Sequence, residues 1–430
     1  MRNIFSGMKV AYITVYKELK GDLLMKPEIL YSVKAQRGSE LRCKGWKQET
    51  ILRMLENNME NAEIPELLVI YGGNGKCARN WESYHAIVKS LKELEDNETL
   101  VVQSGMPVAI FKTHKLAPRV VMATTNIMKA DWPTFYDLQD KNLTIFAQYT
   151  AAPWEYIGTQ GVIQGTFETL SAIAIKRFNN SLAGRIYLTA GAGGMGGNQS
   201  WAMKMHGGVA IVVDADERVI RRRIEKGYMD KIVYTFDEAR KMAEEAAAKK
   251  EPLAVAVVGN AADIYWEAYD KGFMPDIISE MCPCHDPISY IPSGYTGEQA
   301  DEYRVRDRNA YLQDARETMK RQLRAMIAFS KKGVEVFEYG TSIRKECMDA
   351  GMPREEALQI PGFVSAYIRP LFCEGRGPFR WTCISGDLED LKKTDDLALE
   401  ICKGDPLVER WINLARKNLP IEGLPARICY

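Results

Sequence analysis

The chain predicts an α/β protein built on a doubly wound parallel sheet, and three observations carry that prediction. From residue 184 to 279, short apolar runs alternate with stretches of helical period, the pattern of repeated strand–helix–strand units. One apolar run, residues 185–190, passes directly into Gly191-Ala192-Gly193-Gly194-Met195-Gly196-Gly197, a turn that opens a helix. The composition, 46% hydrophobic and 27% charged, is that of an ordinary globular protein and excludes disordered and fibrous classes.

Taken in order, residues 1–20 mix Arg2, Lys9, Lys17, Glu18 and Lys20 with apolar residues and lack the apolar core and small-residue cleavage site of a signal peptide. No stretch reaches the roughly 18 uninterrupted apolar residues of a membrane span, so a cytoplasmic protein with no membrane partner is expected. Residues 48–60 predict an amphipathic helix, with Ile51, Leu52 and Leu55 at helical spacing. The apolar run 67–71 reads as a strand ending in Gly72-Gly73-Asn74-Gly75, and runs 100–103, 108–111 and 120–123 read as further strands of a mixed α/β layer. Strand 185–190 is followed by helix 198–206, strand 209–213 ending at Asp214, helix 217–226, strand 231–235 and helix 237–249. Strand 253–258, helix 261–269 and strand 276–279 close the series, which implies a parallel sheet with right-handed crossovers. Residues 298–332 predict one long, charge-rich surface helix. Residues 360–430 are dense in Pro, Gly and aromatic side chains and predict ordered loops packed at a site.

At 430 residues two or three domains are expected, with a binding site at a junction. Lys plus Arg equals Asp plus Glu at 57 each, which leaves no electrostatic footprint for nucleic acid and favours a small-molecule partner. Nine cysteines scattered over the chain argue against a disulfide framework.

Gly191, Gly193 and Gly196 form G-x-G-x-x-G between a strand and a helix, and Asp214 follows Gly196 by 18 residues. Such a constellation provides a tight turn, close backbone approach to a pyrophosphate, and close helix packing, with an acidic side chain for ribose hydroxyls. The helix N-terminus favours the anionic diphosphate. From the fingerprint alone, a glycine turn in another α/β protein stays open. Asn260 stands where open α/β folds bind ligands, and serves equally well as a helix N-cap for Ala261 onward. Gly72-Gly73-Asn74-Gly75 offers bare amides, or is only a turn. Cys282-Pro283-Cys284-His285 concentrates metal donors but lacks a second ligand pair, so a loop lining the cofactor pocket is preferred and no metal is expected. Arg369 and Arg380 stand among aromatic, Pro and Gly neighbours and suit either a substrate carboxylate or a structural ion pair. Cys429, near Arg427, is either a thiol of depressed pKa or a buried inert cysteine.

Tyr71-Gly72-Gly73, Cys77-Ala78-Arg79-Asn80-Trp81, Val102-Gln103-Ser104-Gly105 and Thr189-Ala190-Gly191 through Gly197 together resemble urocanase, the urocanate hydratase family of histidine breakdown. So do Gly259-Asn260-Ala261-Ala262, His285-Asp286-Pro287, Tyr339-Gly340 with Ile343-Arg344, and Pro361-Gly362-Phe363-Val364. Arg369-Pro370-Leu371-Phe372-Cys373, Gly377-Pro378-Phe379-Arg380-Trp381 and the segment from Gly423 to Cys429 complete a resemblance that runs from about Gln36 to the last residue.

The resemblance implies a Rossmann-like NAD-binding domain, residues 157–366, inserted in a mixed α/β core domain contributed by residues 1–156 and 367–430, in a homodimer. It implies hydration of urocanate, an imidazole acrylate, to imidazolone propionate, with tightly bound NAD used as an electrophile rather than as a redox carrier. By motif correspondence NAD would meet Gly72, Gly73, Gln148, Gly194, Met195, Gly196, Asp214, Asn260, Ala261, Met281, Cys282, Pro283, Cys284, His285, Tyr290, Ile291 and Tyr339. Arg369 and Arg380 would hold substrate, and Cys429 corresponds to the family's active-site cysteine. The sequence departs from the family pattern in three places. Met281-Cys282-Pro283-Cys284-His285 replaces Gln-Thr-Ser-Ala-His, Ala152-Pro153-Trp154 replaces Gly-Ser-Trp, and the chain stops one residue after Cys429, where the family continues through a glycine-rich segment. A separate chain supplying that segment is one expectation. The alternatives are a hydratase of a related imidazole acrylate, an NAD-dependent dehydrogenase, and an inactive, truncated NAD-binding protein.

Overall fold

A computed structural model describes residues 32–72, 74–123 and 131–430. Gly73 and the basic N-terminal stretch read above lie outside them. The described chain forms two compact units, one of residues 32–70 and 74–156, the other of residues 71–72 and 157–430.

In the first unit, α1 (Trp46–Glu60) buries Leu52, Leu55 and Met59 at helical spacing. Strands β1 (Val69–Tyr71) and β2 (Gly75–Lys76) follow. Then comes α2 (Trp81–Glu93), whose first turn is capped by Asn80 accepting from the Ser83 amide at 2.8 Å, one of the orphan donors that every helix start must satisfy. Strands β3 (Glu98–Gln103), β4 (Met106–Lys112) and β5 (Val120–Ala123) make a sheet of order β4-β3-β5, antiparallel on one side of β3 and parallel on the other. Helix α3 (Trp132–Asp140) completes the unit's elements.

The second unit opens with α4 (Gln160–Arg177). The alternating series follows as β6 (Ile186–Ala190), α5 (Asn198–Met205), β7 (Val209–Asp214), α6 (Glu217–Glu225), β8 (Lys231–Val233), α7 (Phe236–Lys249), β9 (Leu253–Val258), α8 (Ala261–Asp270) and β10 (Ile277–Ile278). Helices α9 (Gly297–Arg306) and α10 (Arg308–Lys331) then lead to β11 (Glu335–Val336). These six strands form one parallel sheet of order β11-β10-β6-β7-β9-β8. Both faces are covered, which is why the strands read as unbroken apolar runs. Ile186, Leu188, Ala190, Ile211, Val213, Val255 and Val257 pack on one side with α7, α8 and α10. Tyr187, Ala210, Val212, Ala254 and Ala256 pack on the other with α4, α5 and the C-terminal helices. The expected doubly wound α/β sheet is therefore the architecture of this unit.

Three expectations need correction. The long helix over 298–332 is two helices, because Asp307 leaves helical geometry and its carboxylate caps the next helix through the Ala310 amide at 3.0 Å. Nor is α10 a surface helix: Tyr311, Ala315, Met319, Leu323, Met326 and Phe329 are buried. The tail is more helical than its Pro and Gly content suggested. After α11 (Ile343–Asp349), α12 (Arg354–Ala357), a π-helical turn at Val364–Ile368 and α13 (Arg369–Cys373), strand β12 (Phe379–Thr382) precedes α14 (Leu388–Ile401) and α15 (Pro406–Asn418). Strand β13 (Ala426–Cys429) returns antiparallel to β12. Asp387 and Asp405 cap the two helices, and α15 buries Val408, Trp411, Ile412 and Ala415 against the cluster that holds α4.

Candidate active site

The strand order reverses beside β6: the chain leaves toward β7, β9 and β8, then returns to the other flank of β6 with β10 and β11. Open parallel sheets bind ligands in the crevice outside the carboxyl ends at such a reversal. Here the glycine loop leaves β6 and segment 280–285 leaves β10, joined by the Met281 amide donating to the Ala190 carbonyl at 2.8 Å.

The three fingerprint glycines are not equivalent. Gly191 has φ +88°, and a Cβ there would stand 2.4 Å from the Met281 carbonyl oxygen, so the crossing of the two segments demands glycine. At Gly196 a Cβ would meet the Gly191 carbonyl oxygen at 2.2 Å, so this glycine closes the loop on itself. Gly193 has an ordinary φ, is exposed, and a Cβ there would meet nothing within 4 Å. No packing among the described residues accounts for it. Open space over bare backbone at the approach to a helix N-terminus fits a dinucleotide pyrophosphate.

The loop is held from beneath by Gln199 and Asn198, which no motif singled out, and by Asp214. Gln199 donates to the Gly196 carbonyl at 3.2 Å, while its Oε1 accepts from Tyr187 at 2.6 Å, Thr189 at 2.9 Å and Ser279 at 3.1 Å. Asn198 donates to the Gly194 carbonyl at 2.6 Å. Asp214 ends β7 with Oδ2 accepting from the Ala192 amide at 2.6 Å and Oδ1 from the Asp216 amide at 2.8 Å, clamping the loop to the strand. Burial outweighs these bonds and pushes its carboxyl up to about 6.

Asn260 acts as the N-cap of α8, accepting from the Ala262 amide at 2.9 Å, and its amide donates to the Ile291 carbonyl at 2.9 Å. Ala261 is the first, buried residue of that helix. Tyr290 is buried, its hydroxyl donating to Gln322 at 2.7 Å and its carbonyl accepting from Tyr311 at 2.8 Å. Tyr339 donates to Thr166 at 2.8 Å and stacks on Phe363 with ring centroids 4.5 Å apart.

In segment 280–285 the Cys282 and Cys284 thiols are buried, and burial drives both well above the ordinary cysteine range. The Cys284 Sγ lies 3.9 Å from Glu280 Oε2, and Cys282 Sγ lies 3.8 Å from Gln322. Pro283 turns the chain between them. Burial lowers the His285 ring, opposed by the charge of Asp286 and by a hydrogen bond to the Gly72 main chain. Among the described residues no group of three or more His, Cys, Asp or Glu side chains is arranged to hold a metal. Glu280, absent from the sequence reading, is fully buried and accepts from the Cys282 amide at 3.1 Å and from Thr341 at 2.5 Å. Burial pushes its carboxyl up to about 8.

Cys429 lies opposite Phe379 in the β12–β13 pair. It is buried in the same cluster as Ala192, Met281 and Tyr339, with Met195 packed alongside. Arg427 acts on it only through its charge. That guanidinium is spent on Asp395, at 3.1 and 3.0 Å, and on Gln160 at 3.0 Å. Burial and the Asp395 charge push the Cys429 thiol up to about 12, outweighing the lowering by the Arg427 charge. Arg369, at the start of α13, and Arg380, opposite Ile428 in β12, are both exposed. Gln148 is buried within the first unit, its carbonyl accepting from the Ala151 amide at 3.2 Å.

A parallel sheet covered on both faces, reversing beside a strand that feeds a G-x-G-x-x-G turn, defines the second unit as a Rossmann-like α/β fold. Family models account for nearly all of the chain in order. The urocanase N-terminal domain matches residues 33–155, the urocanase Rossmann-like domain 158–367 and the urocanase C-terminal domain 370–430. The chain belongs to the urocanase family.

Proposed function

We propose that the chain is a urocanate hydratase, adding water to urocanate to give imidazolone propionate. One observation carries the reading: three urocanase models match consecutively from residue 33 to 430. NAD is the proposed cofactor, and when bound it supplies an electrophilic ring that changes which imidazole carbon water can attack.

The open backbone at Gly193, with Gly194, Met195 and Gly196, receives the pyrophosphate. Asp214 keeps lone pairs beyond the two used on amides and offers them to ribose hydroxyls. Asn260, Ala261, Tyr290, Ile291 and Tyr339, with the segment from Met281 to His285 and with Gly72, line the rest of the cofactor's path. Arg369 and Arg380 bind the substrate carboxylate, and Cys429 works at the reacting end as a neutral thiol. The proposed domains are a core domain of residues 1–156 and 367–430 and an NAD domain of residues 157–366, assembled as a homodimer.

Protein purified from a host should release NAD on denaturation, detected by mass. It should consume the conjugated acrylate, followed by loss of its ultraviolet absorbance, with no NADH formed. Cys429→Ala should lower turnover sharply and keep NAD bound. Stoichiometric NADH would instead favour a dehydrogenase, and full activity of Cys429→Ala would remove the thiol from the chemistry.

A further inference from the structure

Helix α4 carries a carboxylate that none of the motifs includes. Glu168 is 2% exposed, and among the described residues its one hydrogen bond is a long one, 3.3 Å from the Gln164 amide one turn earlier. Gln164 is itself fully buried, and its Oε1 has no partner among the described residues. Opposite charges act on the carboxylate from two elements, Arg376 after α13 and Arg410 on α15, and Asp405 adds a like charge. Neither arginine closes on it: Arg376 pairs with Asp405 at 2.6 Å and leaves its Nε buried with no partner among the described residues, and Arg410 reaches His206 at 3.1 Å. Cys429 and Tyr430 complete the surroundings, since both feel the charge of Glu168.

A buried carboxylate is normally paired or saturated with donors, because desolvation is costly. This one is neither, and an unfilled acceptor on Gln164 and an unfilled donor on Arg376 belong to its neighbours. Three such groups are the partners that a held water requires. Gln164 suits both protonation states, since its amide NH2 donates to the carboxylate and its carbonyl, on rotation, accepts from the acid.

We propose that Glu168 is the acid–base residue of this site, giving a proton to the substrate side chain and recovering one from the water that adds, with Gln164 and Arg376 holding that water. The proposal rests on the hydratase reading. The water loses one O–H bond and its oxygen bonds to the ring carbon. A C–H bond forms on the side chain, whose π pair moves to the bond joining it to the ring, and tautomerisation of this hydroxy adduct gives the ring ketone and the saturated chain; Glu168 ends as it began, with no net oxidation. Burial supports the assignment by pushing the Glu168 carboxyl up to about 7, where an acid–base group is most effective near neutral pH. Cys429 stays a thiol throughout.

The test uses the full chain with its bound cofactor. Infrared difference spectra across pH 5–9, taken as wild type minus Glu168→Gln so that the bands of Glu280 and Asp214 cancel, should leave one carboxylic-acid carbonyl band that titrates, and the same band should survive in Cys429→Ala. Glu168→Gln should retain NAD and lower kcat by roughly 10²–10⁴-fold, with little change in KM. Wild-type turnover should fall as pH rises through about 7, in line with the raised Glu168, and Glu168→Asp should restore part of kcat with that limb displaced. A missing band, or wild-type kcat in Glu168→Gln, overturns the role of Glu168. A band present in a wild type that consumes no imidazole acrylate overturns the hydratase reading instead, and the proton's proposed destination with it.

Discussion

Two glycines of one loop should respond in opposite ways to the same added methyl group. At Gly191 the φ of +88° costs an alanine about 1–2 kcal/mol, and its Cβ would lie 2.4 Å from the Met281 carbonyl. That contact is backbone against backbone where β6 and β10 are hydrogen-bonded, so relief requires the strands to part, with an overpacking cost of about 1–3 kcal/mol. Gly191→Ala should therefore lose several kcal/mol, at roughly 2–4 °C in Tm per kcal/mol for a unit of this size. At Gly193 the new Cβ meets nothing within 4 Å, so Gly193→Ala should keep wild-type stability within about 0.5 kcal/mol. If a pyrophosphate lies against that backbone, one displaced hydrogen bond to charge costs about 1.5–3 kcal/mol, roughly 10–100-fold in affinity. Differential scanning fluorimetry and NAD titration of the apo variants measure both effects. Unchanged NAD affinity in Gly193→Ala and in the bulkier Gly193→Val would refute the assigned register, and an undisturbed Tm in Gly191→Ala would refute the crossing of the two segments.

Glu280 should give the protein a pH-dependent stability. Its carboxyl is raised from 4.5 to about 8, so the folded state keeps a proton that the unfolded chain releases; the stabilisation is full below about 4.5 and declines as pH rises to about 8, on the order of 5 kcal/mol at most. Asp214 and Glu168 act in the same sense over lower windows, so the comparison of Tm against pH is wild type minus Glu280→Gln. The variant should show the shallower decline above pH 6, and parallel curves would sink the assignment. Arg427→Met should cost about 3–5 kcal/mol by leaving Asp395 buried and short of a partner, since the two side chains are 3% and 1% exposed. Arg416→Met, whose side chain is 29% exposed against the same Asp395, should cost far less, and denaturant unfolding that ranks the two equally would contradict the burial argument.

Much of this protein was legible before its structure. The period-2 and period-3.6 signals are local, so the runs that became β6, β7 and β9 announced themselves, as did the turn after β6 and Asp214 at the end of β7. Helix α4 gave no such signal: it is buried on most of its surface, with Ile163, Phe167, Leu170, Ile173 and Ala174 beside Gln164, Glu168 and Ser171, and a helix enclosed on several sides has no polar stripe to mark its period. Asp307 looks like any charged residue in a helical run until its own turn shows it as a cap.

Sequence alone determined the family, the chemistry-bearing motifs and the sheet's class, because these are written in residue types and short spacings. It did not determine the strand order, since hydrogen bonds between β6 and β10 join residues some ninety positions apart with no local trace. Only the tertiary structure separates Gly193 from Gly191 and Gly196, because the difference lies in which atoms of other segments surround each one. The same is true of Glu168, Glu280 and Cys429. A carboxyl or thiol carries its ordinary affinity for protons in the sequence, and burial, which is a property of the whole fold, is what moves it.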